Sequence, residues 1–181
     1  MKKSLFILLI FTLSALFFSS CELQKDEPPF ESNFDTVMFS QMKENWESQK
    51  INDYTFTYMV LMSQNPEWWL KERITIKDGE VVKKTLLDEK DDSELEYDPY
   101  YDYSEFPDSI DDIFTYVQSR YNFYSQGNKY SSLNMKVQSF DESNFYPLSF
   151  YGKAIIRHPA KNMVGQHDPE FGIKVTEFVK N

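Results

Sequence analysis

From about Asp35 to Gln49 the apolar residues Met38, Phe39, Met42 and Trp46 follow at steps of one, three and four, which gathers them on one face of a helix. Asn33 or Asp35 is placed to cap its start. At Tyr54 the period changes to two. The run Tyr54-Thr55-Phe56-Thr57-Tyr58-Met59-Val60 predicts a strand with Tyr54, Phe56, Tyr58 and Val60 on one side. Asn65-Pro66 breaks it, and Trp68 to Ile76 resumes as a second strand in which Trp68, Leu70, Ile74 and Ile76 share a face. Asp78-Gly79, set between Ile76 and Val81-Val82, calls for a two-residue type I′ turn into a third strand.

A second helical stripe follows from about Ser109 to Ser125, with Ile110, Ile113, Phe114, Val117, Tyr121 and Tyr124 on one side and Gly127 as the stop. Asp108 or Ser109 caps it, and Asp111-Asp112 suit the positive end of its dipole. Three more strands are expected at Leu133–Val137, at Leu148–Ile156 with a bend at Gly152, and at Phe171–Val179. Strands joined by hairpins, with no repeating βαβ unit, give an α+β fold: an antiparallel sheet of about five to six strands with two helices packed on one face.

Between these patterns lies a segment that fits neither period. Residues 88–112 carry 12 acidic side chains and only Lys90 on the basic side, with Tyr97, Tyr100, Tyr101 and Tyr103 among them. It is expected to be a solvated loop. The acids invite a calcium reading, but no Asp-x-Asp-x-Asp-Gly order with a distal Glu can be traced from Asp88 to Asp112. Pairs such as Asp91-Asp92 or Asp111-Asp112 arise by chance in so acidic a stretch and are poor candidates for a glycosidase pair.

The N-terminus has a third kind of pattern. Lys2-Lys3 precedes an apolar stretch from Leu5 to Phe18, then Ser19-Ser20 and Cys21, the only cysteine of the 181 residues. The apolar core is too short for an ordinary membrane span and reads as a secretory signal. Phe18-Ser19-Ser20-Cys21 resembles the lipobox of bacterial lipoproteins, with Phe18 where Leu is usual. That resemblance implies diacylglycerol on the Cys21 thiol, cleavage before it and a membrane anchor of two or three acyl chains. The expected organisation is a signal peptide at 1–20, a flexible acidic spacer at 21–33 and one domain at 34–181. Gln24-Lys25-Asp26-Glu27 resembles the acidic export tag of Bacteroidetes-type surface lipoproteins, which favours the cell surface over the periplasmic side of the outer membrane.

Composition narrows the partners. The net charge of −10 becomes −12 once the first 20 residues are removed, which argues against nucleic acid or anionic headgroups as partners. With Cys21 acylated no intrachain disulfide remains, so stability rests on packing by 16 Phe and 12 Tyr.

Several landmarks together resemble an uncharacterised family of small secreted bacterial lipoproteins, a domain of unknown function. They are Trp46 before Tyr54–Tyr58, the Ile74-x-Ile76-x-Asp78-Gly79-x-Val81 hairpin, Ser109–Phe114 opening the second helix, Tyr146-Pro147, and Val175-x-x-Phe178. Members often carry a cysteine pair where Met62-Ser63 stand here. The resemblance brings no activity with it.

The chain shows no Gly-x-Ser-x-Gly elbow, phosphate-cradling Gly loop or His-Glu-x-x-His pair. His158 and His167, with Asp168, lack zinc-ligand spacing and read as loop residues, so neither metal nor cofactor is expected. The candidate binding residues are Trp69, Tyr97, Tyr100, Tyr101 and Tyr103. Trp69 has the parity of Lys71, Arg73 and Thr75, opposite the core, with Thr55 and Thr57 on the same side of the first strand. The expected function is a non-catalytic, lipid-anchored envelope domain that binds a protein or a glycan. A secreted hydrolase, or an inhibitor of host or competitor hydrolases, is the alternative.

Overall fold

The computed structural model describes residues 29–61, 69–100, 102–126, 129–141, 146–156 and 169–181. The leader, Cys21, Trp68, Tyr101, Gly127, Met62-Ser63 and the His158–Asp168 stretch lie outside the described residues. Helix α1 spans Thr36–Ser48, and Asp35, rather than Asn33, caps it by accepting from the Met38 N–H at 2.8 Å. Phe39, Met42 and Trp46 are buried as the spacing requires, while Met38 stays exposed. Helix α2 spans Ile110–Ser125 and is capped by Ser109, which accepts from the Asp112 N–H at 3.0 Å and donates to the Asp112 carboxylate at 2.8 Å.

The fold is mixed α+β, and its sheet is wider than the alternation alone predicts. Among the described residues there are eight strands rather than five or six: β1 Glu31–Ser32, β2 Tyr54–Leu61, β3 Trp69–Lys77, β4 Glu80–Leu87, β5 Glu94–Leu95, β6 Tyr130–Asp141, β7 Tyr146–Ile156 and β8 Glu170–Lys180. Their order across the sheet is β1-β6-β7-β8-β2-β3-β4-β5, and every pairing is antiparallel except β1 with β6. The two additions, β1 and β5, have only two residues each, too short for any hydrophobic period to register. β1 also draws the end of the expected spacer into the sheet. Asn33 fixes it there, accepting from Met135 N–H at 2.7 Å and donating to Asn134 at 2.8 Å.

Asp78 and Gly79 both have positive φ, 53° and 79°, as a type I′ turn requires. Gly152 has a packing role. A Cβ there would lie 2.3 Å from the Phe171 ring, so the missing side chain lets that ring cross β7 and stack on Tyr124 of α2. The core occupies one face of the sheet. Tyr54, Phe56, Tyr58 and Val60 of β2 meet Phe150, Phe171, Ile173 and Val175 of the neighbouring strands, and both helices cover them, Phe39 touching Phe114 and Phe150 at 5.5 and 5.7 Å. The helices account for one face only. On the other, no helix lies among the described residues.

Candidate functional site

Each face of the sheet holds one side chain that its surroundings do not explain by simple sorting. On the core face it is Glu72. Alternation along β3 puts it in line with Leu70, Ile74 and Ile76, and it is completely buried. Its two oxygens accept separate phenolic hydrogens, from Tyr58 at 2.5 Å and from Tyr97 at 2.7 Å. Burial, and next the Glu72 charge and hydrogen bond, push the Tyr58 phenol well above its ordinary range. Burial and the Glu72 bond raise Tyr97 in the same way. A buried carboxylate requires such donors, because an unpaired one would bear a heavy desolvation cost.

Tyr97 belongs to the acidic segment, so this contact fixes that segment to the sheet. Tyr103 meets Tyr97 edge-on at 4.9 Å, and Phe106 packs beside Tyr103. The segment is ordered by its own acids. Asp88, Asp91, Asp98 and Asp102 each accept the N–H two residues ahead, from Lys90, Ser93, Tyr100 and Ser104 at 2.8 to 3.0 Å. The Ser93 and Ser104 hydroxyls, and next their backbone N–H groups, hold the Asp91 and Asp102 carboxyls below the usual range. Much of the acidic run is therefore a series of Asx turns. Among the described residues no group of three or more His, Cys, Asp or Glu is arranged to hold a metal.

The five sequence candidates separate accordingly. Tyr97 and Tyr103 turn inward and are half-buried; Tyr100 is 96 % exposed; Tyr101 lies outside the described residues. Trp69 faces away from the core at the start of β3, opposite Leu61. Its ring reaches across β2 to β8, where Cη2 lies 3.3 Å from the point a Cβ of Gly172 would occupy. Tyr151 of β7 approaches the same point from the other side, with Cδ2 at 3.6 Å. Gly172 thus leaves a side-chain gap that two aromatic rings flank, both partly open to solvent.

The polar groups around these rings are sorted. The Tyr151 hydroxyl bonds to Glu170, and burial together with that bond pushes the phenol up to about 12. Lys153 pairs with Glu170 at 2.8 Å and, with the Tyr151 bond, keeps that carboxyl low. Arg73 reaches Glu177 at 3.6 Å, and Lys71 pairs with Asp92. Lys136, directly across from Tyr151, and Lys174, across from Ser149 and Met59, are exposed and make no ion pair among the described residues. The overall negative charge hides this segregation.

Two grooves open on the helical side. One, about 410 Å³, runs between Trp46, Lys50, Asn52 and Asp111, and the other, about 390 Å³, lies along Phe106, Asp108, Asp112 and Tyr116. Neither gathers the polar groups described above. Sequence reasoning missed Glu72, whose parity with Leu70 and Ile74 was its signal, and it missed Tyr151, which only the β7–β8 register places beside Trp69.

Comparison with known proteins adds a family without an activity. Residues 38–127 match a family described as "Family of unknown function (DUF6174)", a region from α1 through α2 that includes Glu72, Tyr97 and Trp69. No curated protein and no solved structure matches the chain.

Proposed function

We propose that this chain is a lipid-anchored protein of the outer membrane, facing the cell surface, whose domain acts by binding and uses the sheet face opposite the helices as its contact surface. The sequence around Cys21 supports the anchor. The observation that carries the binding role is the pair of partly exposed rings, Trp69 and Tyr151, over Gly172. An aromatic ring left at a polar surface gains from any partner that removes it from water.

Two measurements test this reading separately. Cells fed a palmitate analogue should label the wild-type protein and not Cys21→Ala, and protease added to intact cells should remove the domain. Absence of label ends the lipoprotein reading, and protection from protease assigns the domain to the periplasmic side. For the binding role, a photo-crosslinking residue at position 174 should yield an adduct in intact cells, while the same residue at position 43 on α1 should not. Adducts at 43 alone would reject the sheet face as the contact surface.

A further inference from the structure

Three features of the open face narrow what it would hold. The first is shape: Trp69 and Tyr151 converge on Gly172, where the backbone bears no side chain, so the rings form a shallow platform rather than a closed pocket. The second is charge. Lys153 and Glu170 neutralise one another beside Tyr151, whereas Lys136, across from Tyr151 on β6, and Lys174, two residues beyond Gly172 on β8, border the platform without a counter-ion among the described residues. Adjacent strands are about 4.8 Å apart, so both amines lie within reach of a group resting on the rings. The third is the surrounding chemistry, with Thr55, Thr57, Thr75 and Ser149 on the same face and, next to Trp69 and Lys174, the apolar Leu61, which is buried, and Met59, which is half-buried.

We propose that this face binds an acidic polysaccharide, with a sugar ring lying on the Trp69–Tyr151 platform and its carboxylate held between Lys174 and Lys136. The assignment rests on the binding role proposed above and names its ligand class. The apolar face of a pyranose suits an aromatic surface of this size. A charge-assisted bond from an ammonium to a carboxylate fixes the ring's orientation and weakens with salt. An acidic protein partner fits less well, since protein interfaces centre on a desolvated apolar patch, and the apolar neighbours of the rings, Leu61 and Met59, are buried and half-buried and so offer little further surface for one. A bilayer surface also fits less well, because two free lysines supply only about 2 kcal/mol of attraction to anionic lipid, at roughly 1 kcal/mol each.

The test uses the full chain, extracted from membranes in neutral detergent, and measures affinity for four probes: polygalacturonate, neutral dextran, polyglutamate and phosphatidylglycerol vesicles. Polygalacturonate should bind most tightly, with affinity falling severalfold as salt rises. Trp69→Ala should weaken it at least tenfold, Trp69→Phe should restore most of it, and Lys174→Gln or Lys136→Gln should each weaken it about threefold and flatten the salt dependence. Lys43→Gln on α1 should change nothing. Circular dichroism confirms that each variant is folded. Equal binding to dextran overturns the role of charge. Tighter, Trp69-dependent binding to polyglutamate or to vesicles overturns the glycan assignment while leaving the binding face intact. If Trp69→Ala alters binding to none of the four probes and position 174 gives no adduct in cells, the binding face fails as well.

Discussion

Glu72 and Trp69 stand three positions apart on β3, a carboxylate among apolar side chains and an indole among lysines and threonines. The difference between them is closure. Both oxygens of Glu72 are taken by phenols of the same chain, one from the adjacent strand and one from the acidic segment, so the network is complete. The Trp69 ring has Gly172 beneath it and solvent over part of its surface. A satisfied buried charge organises the fold, and an unsatisfied exposed ring is available to something outside it.

That comparison breaks most directly through stability. Glu72→Ala strands one buried and one half-buried phenolic hydroxyl and leaves a void, and should lower unfolding free energy by about 3 kcal/mol in urea titration. Trp69→Ala should lower it by under about 1 kcal/mol, since the ring is only partly buried. Equal losses would erase the distinction between the two faces. Gly152→Ala should cost about 2 kcal/mol by driving a methyl into the Phe171 ring, and Phe171→Leu in the same chain should recover part of it.

Tyr97→Phe removes one of the two donors to Glu72 and should cost about 1 kcal/mol. Its clearer readout is proteolysis, which should accelerate between residues 88 and 106 while cleavage elsewhere stays unchanged. Alkaline pH sharpens the same point. Tyr54 is raised to about 12 by burial, Tyr151 to about 12, and Tyr58 and Tyr97 are raised too. A phenol whose folded pKa exceeds its unfolded value near 10 stabilises the fold fully below pH 10 and loses that contribution as pH rises through the folded value. Ultraviolet titration should therefore show these four phenols ionising only with unfolding, above about pH 11. A single ionisation step for all tyrosines at pH 10 would contradict the closed network.

Much of the scaffold was legible in the chain because it depends on local period. The apolar stripes of α1 and α2, their acidic and hydroxyl caps, the alternation of β2 and the Asp78-Gly79 turn are properties of short windows. Parity also placed Trp69 opposite the core. What lay beyond reach depends on register between distant strands: Tyr151 comes beside Trp69 only because β7 and β2 both flank β8. The acidic segment was legible as an irregular and largely exposed loop, but a count of carboxylates says nothing about which of them close turns. Glu72 stood in the right alternation for the core, but a charged residue there makes sense only once Tyr97, 25 residues away, supplies its second donor.

Under the N-terminal anchor proposed above, β1 acquires another significance. Tension applied at residue 29 reaches Glu31–Ser32 first, where two residues run parallel to β6, and then Asn33. Each edge strand, β1 and β5, is held by only two residue pairs. Phe34, wedged 5.1 Å from Phe39 and 5.0 Å from Tyr121, stops the peeling. Under that anchor, residues 29–33, about 16 Å long when fully extended, come off β6 before the core is loaded and leave the rim of β6 as an open sheet edge.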